Sequence, residues 1–197
     1  MLKTLKQRIF IKICLVISIF PKMFIAKKMH RISQQNISVI SNNCLAGLLY
    51  KNSNMKYQTP TVGLYFVGDA YKEFVEILIS RSLAESHYSK IKPEYLIFDL
   101  HFNSFVYYCN KKPKIVFLHY TDAVIAVDSW IDRLNRIKGR RYIFLFSVRD
   151  GVSEDDYLSI NELHNKKMLI GSNCEEALSA DLLLANPWHC TRLARAL

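Results

Sequence analysis

Three short groups of polar residues hold most of the side chains in this sequence that could take part in catalysis or ligand binding. Each group follows a short apolar run, and the groups are Ser41-Asn42-Asn43-Cys44, His119-Tyr120-Thr121-Asp122 and Ser147-Val148-Arg149-Asp150-Gly151. Ligands of open parallel sheets bind beyond the carboxyl ends of the strands. If the apolar runs are parallel strands, the three groups meet at one edge of the sheet and form a single site.

His119 and Cys44 are the candidate catalytic residues. A histidine side chain can accept a proton near neutral pH, so His119 could deprotonate an acceptor hydroxyl; the alternative is a hydrogen-bonded residue at a strand end. A cysteine at the start of a helix is activated as a nucleophile, and Cys44 could therefore carry a covalent acyl intermediate. The alternative for Cys44 is a small buried apolar side chain.

The candidate substrate-binding residues carry amides, a guanidinium group and other polar side chains. Asn42 and Asn43 can hydrogen-bond sugar or phosphate oxygens, or can cap the helix that follows them. Arg149 can bind a phosphate through its guanidinium group. Alternatively, Arg149 forms a turn with an ion pair to Asp150. Tyr120 and Asp150 belong to the same candidate set of substrate-binding residues.

Two further arginines, Arg133 and Arg136, lie on a predicted helix. Arg133 flanks the apolar stripe of that helix and could point toward the sheet edge. Arg136 is four residues from Asp132, with which it is expected to form a surface ion pair. We assign both arginines to the phosphates of a substrate. The five cysteines of the chain have no metal-ligand spacing, so no metal site is predicted, and no cofactor is identified.

The apolar runs that precede these groups are part of a longer alternation of strands and helices. The predicted strands are Ile37–Ser41, Thr61–Val67, Tyr95–Leu100, Lys114–Tyr120, Tyr142–Val148 and Lys166–Ile170. Helical spacing of apolar residues predicts helices over Tyr71–Leu78 and Ala123–Ile137, and a third helix is expected over Ser153–Leu163. The pattern predicts an α/β fold, with a mostly parallel sheet of about six strands, helices on both faces and a basic N-terminal segment in front.

The net positive charge of the chain comes entirely from its first third. The formal net charge is +10, from 27 basic and 17 acidic residues, and no acidic residue precedes Asp69. From Asp69 onward the charges balance, whereas a nucleic-acid-binding domain usually carries a basic face over its fold. We therefore expect no nucleic-acid partner.

Residues 1–31 form a basic, weakly amphipathic segment, and residues 32–197 are expected to form a single α/β domain. The longest uncharged stretch in the segment is Ile13–Phe20, whereas a bilayer-spanning helix needs about 20 apolar residues. The segment is expected either to lie on an anionic membrane surface or to be a solvated tail. Scattered cysteines indicate reduced thiols. The expected location is therefore the cytoplasm, with the inner face of the plasma membrane as a peripheral site.

Several short motifs follow one another over residues 37–171. They are Ile40-Ser41-Asn42-Asn43-Cys44, Tyr57-Gln58-Thr59-Pro60, Val62-Gly63-Leu64-Tyr65-Phe66, Tyr71-Lys72-Glu73-Phe74, Phe117-Leu118-His119-Tyr120, Ala126, Trp130, Arg133-x-x-Arg136-Ile137 and Arg149-Asp150-Gly151. In this order and spacing they resemble the bacterial family called domain of unknown function 1919. The resemblance implies an α/β protein and a role in exopolysaccharide biosynthesis, and members of the family often carry a transferase label.

Two hypotheses follow. In the first, the protein is a glycosyl or acyl transferase in exopolysaccharide or capsular polysaccharide biosynthesis. It uses a nucleotide-sugar or other phosphate-activated donor, and its acceptor is a glycan or a lipid-linked saccharide. In the second, it is a non-catalytic glycan-binding or scaffolding subunit of the same machinery. The second hypothesis predicts tolerance of a substitution at His119 and sensitivity to loss of Trp130 packing.

Overall fold

The computed structural model of the chain describes residue 23, residues 25–146 and residues 169–170. The strands are β1 (Ile37–Ser41), β2 (Tyr65–Phe66), β3 (Leu96–Asp99), β4 (Ser104–Cys109), β5 (Lys112–Phe117), β6 (Arg141–Phe146) and β7 (Leu169–Ile170). The helices are α1 (25–34), α2 (Leu45–Asn52), α3 (Ala70–Ile79) and α4 (Ala123–Ile137), with short 3-10 turns at His87–Lys90 and Pro93–Tyr95. These elements form two sheets, one parallel and one antiparallel.

The parallel sheet has the strand order β1-β6-β7. The strands β1 and β6 are paired with Val39 opposite Ile143. Successive residues of β1 enter different apolar clusters, because side chains alternate between the two faces of a strand. Val39 packs with buried residues of α1 and α2, whereas Ile40 packs with residues of α3 and α4. Helices therefore cover both faces of this sheet.

The antiparallel sheet has the strand order β2-β5-β4-β3. Its β4–β5 hairpin closes through the two residues Asn110 and Lys111, whose φ angles are +52° and +63°. Two consecutive left-handed residues give the tight turn whose twist matches that of an antiparallel pair, and asparagine tolerates that conformation well. This turn explains why β5 runs antiparallel to its neighbour.

An aromatic core packs between α3, α4 and the antiparallel sheet. Phe66, Phe74, Tyr88 and Trp130 are fully buried and lie within ring contact of one another. The indole N–H of Trp130 donates to the Tyr88 carbonyl at 2.8 Å, which satisfies its only polar group.

The two sheets are joined beyond the end of β1. The Phe66 N–H of β2 donates to the Asn42 carbonyl at 2.9 Å. The hydroxyl of Tyr71 on α3 lies 3.1 Å from the Ile40 carbonyl and 2.9 Å from the Leu145 carbonyl, so it can donate to either strand of the parallel sheet. Burial raises the pKa of Tyr71 well above its ordinary value, which keeps this hydroxyl a donor.

The observed architecture corrects part of the predicted fold. The mixture of helices and strands is confirmed, but the described strands form two sheets, not one mostly parallel sheet of about six strands. The predicted runs at 61–67, 95–100 and 114–120 contribute strands to the antiparallel sheet, and β4 was not predicted at all. Antiparallel strands that are covered on both faces are as apolar as parallel ones, so the composition of a run does not reveal its direction.

The N-terminal segment also differs from the expectation. Ile25, Met29 and Ile32 of α1 are buried in the cluster that covers the parallel sheet, so the expected boundary between residues 31 and 32 falls inside a packed helix. Within the described ranges, no helix is both long and apolar enough to cross a membrane. The helix expected over Ser153–Leu163 lies outside the described residues.

Candidate functional site

The turn that follows β1 is held by its own polar side chains. The Ser41 hydroxyl donates to the Asn43 carbonyl at 2.6 Å and accepts from the Ala46 N–H at 2.9 Å. The side-chain oxygen of Asn43 accepts from the Leu45 N–H at 3.1 Å, which matches the capping alternative for this asparagine. Asn42 is fully buried, so Asn43 is the amide of this pair that remains partly exposed.

Cys44 stands at the start of α2 and is partly exposed. Its Sγ lies 3.4 Å from the carbonyl oxygen of Leu64, to which the thiol donates. Only the protonated thiol can donate this bond, so the contact favours the neutral form over the nucleophilic thiolate. A covalent role for Cys44 would require this hydrogen bond to break.

A bridging segment, residues 57–64, connects the β1 turn to the end of β5. The Thr61 hydroxyl accepts from the Ser41 N–H at 3.4 Å and lies 2.9 Å from the hydroxyl of Thr59. Gly47 of α2 permits the close approach of this segment, because a Cβ there would lie 3.1 Å from Val62 Cγ2 and 3.3 Å from the Thr61 carbonyl oxygen. The segment is thereby fixed against the parallel sheet.

His119 and Tyr120 follow β5 and pack beside Gly63 of the bridging segment. The His119 N–H donates to the Gly63 carbonyl at 3.4 Å. Gly63 has a φ of +70°, and a Cβ there would lie 3.3 Å from Tyr120 Cε2 and 3.6 Å from His119 Cβ. The imidazole of His119 is exposed and has no hydrogen-bond partner among the described residues.

Arg133 of α4 completes this group of residues. Its Nη1 lies 2.6 Å from the Tyr120 hydroxyl and 3.2 Å from the Val62 carbonyl oxygen. The guanidinium lies over the Tyr57 ring, with Cζ 5.5 Å from the ring centroid. No carboxylate of the described part of the chain forms a salt bridge with Arg133. A half-buried cation with only neutral partners is suited to bind an anion.

The structure therefore brings five of the predicted site residues into contact with the bridging segment. These residues are Cys44, His119, Tyr120, Arg133 and Arg136. Asn43 precedes Cys44 in the turn after β1. Their chemical roles remain predictions. Arg149 and Asp150 lie outside the described residues.

A family model with the description "Domain of unknown function (DUF1919)" matches residues 16–181, which is most of the chain. The chain belongs to this family. A similar relative is an uncharacterised protein of Haemophilus influenzae (strain ATCC 51907 / DSM 11121 / KW20 / Rd), which is 24% identical over 153 residues, or 76% of this chain and 68% of the relative.

In this DUF1919 chain, Arg136 differs from Arg133 in its partners. The predicted ion pair between Arg136 and Asp132 is confirmed. Nη1 of Arg136 also donates to the Tyr57 carbonyl at 3.1 Å. The charge of Arg136 is compensated and its hydrogen bonds fix the bridging segment, so these contacts favour a positioning role over the phosphate-binding role that we predicted.

Two residues that contact the site residues were not predicted from the sequence. Tyr57 supplies the ring under Arg133, and Gly63 supplies the space beside His119 and Tyr120. Both occur in the motifs that carry the family resemblance, which was the available signal. Neither belongs to a periodic pattern, because the segment that holds them is a loop without regular structure for most of its length.

A second polar cluster, called here the Glu73 cluster, lies at the other end of β5. Glu73 Oε1 lies 2.7 Å from His87 Nε2, and Glu73 Oε2 lies 2.7 Å from Lys114 Nζ. Lys114 also pairs with Asp69 at 3.3 Å, and the other ring nitrogen of His87 lies 3.2 Å from the Tyr107 hydroxyl. In the part of the chain that the structure describes, no three His, Cys, Asp or Glu side chains are placed to hold a metal ion.

The charges of the Glu73 cluster stabilise one another. Burial raises the pKa of Glu73, but hydrogen bonds from Lys114 and His87 outweigh burial, so the pKa is lowered overall. Burial lowers the pKa of Lys114, but the hydrogen bond and the charge of Glu73 outweigh it, so that pKa is raised. Burial is the main cause that raises the pKa of Tyr107 to about 12.

Proposed function

We propose that the protein is a transferase in exopolysaccharide or capsular polysaccharide biosynthesis, acting on a phosphate- or nucleotide-activated donor and a glycan or lipid-linked saccharide acceptor. The observation that carries the proposal is Arg133, a half-buried cation that has no carboxylate partner in the described ranges and bonds to the hydroxyl of Tyr120, the residue next to the exposed His119. Such a cation is suited to the phosphate of an activated donor.

The proposed step is a group transfer with His119 as general base. His119 removes the proton of an acceptor hydroxyl while the hydroxyl oxygen bonds to the carbon of the transferred group. The bond from that carbon to the donor's phosphate oxygen breaks, and the oxygen leaves with the electron pair. Arg133 stabilises the negative charge on the departing phosphate, and Asn43 binds sugar or phosphate oxygens. The predictions that Arg149 binds the phosphate and that Asp150 contributes to substrate binding are retained.

A non-catalytic glycan-binding or scaffolding subunit is the second candidate. One observation favours it: the imidazole of His119 has no residue to orient it among those that the structure describes, whereas a general base is usually held by a third group. Trp130 does not distinguish the two candidates, because it is fully buried at the centre of the core and its loss would disturb either protein.

Complementation of polysaccharide synthesis distinguishes catalysis from binding. A strain that lacks the chromosomal copy would receive the wild type, His119→Ala or the control His101→Ala, which alters another exposed histidine. The transferase proposal predicts that His119→Ala abolishes surface polysaccharide at an unchanged protein level, and that His101→Ala does not. Normal polysaccharide with His119→Ala would overturn the catalytic role of His119 and favour the binding subunit.

We further propose that the protein works at the inner face of the plasma membrane. On α1, Lys27 and Arg31 are exposed while Ile25 and Met29 are buried, so the basic face of this helix is turned toward solvent. Such a face is attracted to anionic lipid. Vesicle flotation of the wild type and of Lys27→Glu/Arg31→Glu would test this. Equal flotation with neutral and anionic vesicles would contradict it.

A further inference from the structure

Tyr120 is held both by its ring and by its hydroxyl. The ring contacts Phe117 edge to face, with ring centroids 5.8 Å apart, and lies beside Gly63. The hydroxyl donates to the Val62 carbonyl at 3.0 Å and accepts from Arg133 Nη1 at 2.6 Å. These contacts favour a positioning role for Tyr120 over the substrate-binding role that we predicted.

The guanidinium group of Arg133 uses only one of its three nitrogens within the described part of the chain. Nη1 carries two protons, and it donates to the Tyr120 hydroxyl and, at 3.2 Å, to the Val62 carbonyl oxygen. Nε and Nη2 form no hydrogen bond with the described residues, and neither is a buried atom without a partner. The Tyr57 ring, whose centroid lies 5.5 Å from Cζ, supports the same group.

The two nitrogens that remain are neighbours in the guanidinium plane. The Nε–H bond of an arginine and one N–H bond of its Nη2 point in the same direction, and together they match two oxygens of one phosphate group. A lysine ammonium group has the same charge but no such pair of parallel donors. The hydrogen bonds of Nη1 therefore leave the Nε–Nη2 edge of Arg133 available for an anion.

We propose that Tyr120 is a positioning residue, which fixes Arg133 so that its Nε–Nη2 edge forms two parallel hydrogen bonds to one phosphate group. This inference rests on the proposed function, because it takes the phosphate of the activated donor as the anion. It adds the residue that orients the cation and the way in which the cation binds. A guanidinium that is already fixed loses less side-chain freedom when the phosphate binds.

Calorimetric titration of the full chain with two probes tests the proposal. Uridine diphosphate and farnesyl diphosphate carry the same diphosphate on a nucleoside and on a lipid, so the probe that binds identifies the source of the phosphate. Tyr120→Phe keeps the ring and removes the hydroxyl, and it is expected to raise the dissociation constant about tenfold. The matched control is Tyr142→Phe, which should leave the constant unchanged. Tyr142 is also half-buried, and its hydroxyl donates to the Ile137 carbonyl at 3.1 Å.

Substitutions of Arg133 test how the cation binds. Arg133→Gln removes the charge and Arg133→Lys keeps it without the parallel donors, so each should raise the dissociation constant by about tenfold or more. In the Arg133→Lys background, Tyr120→Phe should have less than about a twofold further effect, because its action depends on the guanidinium. A purely structural role for Tyr120 would give the same loss in both backgrounds.

Several results would overturn the proposal. If wild type binds neither probe, or if Arg133→Gln binds as wild type does, Arg133 is not a phosphate ligand, and the proposed function fails as well. If Arg133→Gln weakens binding but Arg133→Lys or Tyr120→Phe does not, the phosphate-binding role of Arg133 stands and only the arrangement proposed here is wrong. Equal losses from Tyr120→Phe in the two backgrounds, or an equal loss from Tyr142→Phe, would exclude the positioning role. Circular dichroism would verify that each variant is folded.

Discussion

The two ends of β5 carry polar groups of opposite character. At the amino end, the side chain of Lys114 is only 10% exposed and lies between Glu73 and Asp69, and Glu73 in turn pairs with His87. At the carboxyl end, Arg133 has neutral partners only among the described residues, and the imidazole of His119 is exposed. We call the amino end the closed end, because its charged side chains are paired with charges of opposite sign. We call the carboxyl end the open end, because Arg133 has no carboxylate partner among the described residues. We therefore expect the first end to contribute to stability, and we propose the second as the ligand-binding end.

The strongest test of this contrast is removal of the central carboxylate of the closed end. Glu73→Ala would leave Lys114 buried without its nearest partner, and we expect a loss of about 2 kcal/mol in the free energy of unfolding. Glu76→Ala is the matched control, because Glu76 lies on the same helix but is exposed, and it should change stability by less than about 0.5 kcal/mol. Urea denaturation measures both. Equal effects would show that the Glu73 cluster contributes nothing beyond helix propensity.

A glycine substitution tests whether the open end depends on close packing. Gly63 and Gly68 both have positive φ angles, +70° and +56°, so alanine at either position should cost about 1 kcal/mol of backbone strain. At Gly63 the new Cβ would lie only 3.3 Å from Tyr120 Cε2, whereas at Gly68 no atom of the described residues lies within 4 Å of it. We expect Gly63→Ala to be the less stable variant by about another 1 kcal/mol.

The same pair of glycine variants has a functional readout. Gly63→Ala should weaken binding of a nucleoside diphosphate, measured by calorimetry, while Gly68→Ala should not. If both variants bind as the wild type does, the residues around Gly63 do not form the donor site.

The pH dependence of stability provides a smaller signal from the closed end. The pKa of Glu73 is lowered in the folded protein, so its stabilising contribution is present above the ordinary glutamate pKa of 4.5 and is lost as the pH falls through the folded value. The stability difference between wild type and Glu73→Gln should therefore shrink between about pH 5 and pH 3. A difference that stays constant over this range would exclude an ionised Glu73 as its source.

Whereas the stabilising contribution of Glu73 is lost at low pH, that of Lys114 is lost at high pH. The pKa of Lys114 is raised on folding, so its contribution is complete below its ordinary value of 10.5 and is lost as the pH rises through the folded value. Denaturation of Lys114→Met and wild type at pH 7 and above pH 10.5 would measure this loss.

The smallest expected effect on stability is at His119. Because its side chain is exposed, His119→Ala should change the free energy of unfolding by less than about 0.5 kcal/mol. A large loss of stability would mean that the imidazole has a structural role and would remove the contrast between the two ends of β5.

The parts of the fold that were predicted correctly have strong local patterns. The bounds of β1 agree with the prediction, and the four residues Val127, Trp130, Leu134 and Ile137 of the predicted apolar stripe are buried in α4. The stripe also included Ala123, which is only partly buried, and the buried Ala126 was not part of it. Strand direction could not be read, because it depends on the turn at Asn110 and Lys111 and on pairing between distant segments. The strand β4 lies between the predicted strands at 95–100 and 114–120, in a stretch for which no element was predicted.

The candidate site could be predicted only as a set of residue types. The local spacing predicts the ion pair that neutralises Arg136, because Asp132 lies four residues before it on the same helix. It does not predict the neighbours of Arg133, because Tyr57 and Tyr120 come from distant parts of the chain. Side chains from three distant segments decide the chemistry, and no local pattern records that arrangement.

The packing of α1 has a consequence for the geometry of any reaction at a membrane. A basic tail on a flexible linker would let the domain tumble above the bilayer. Here Ile25, Met29 and Ile32 anchor the basic helix to the same cluster as Val39 and Leu145 of the parallel sheet. A bilayer that binds the outer face of α1 would therefore hold the rest of the domain at a set height and tilt, and α1 would determine which acceptor groups are within reach.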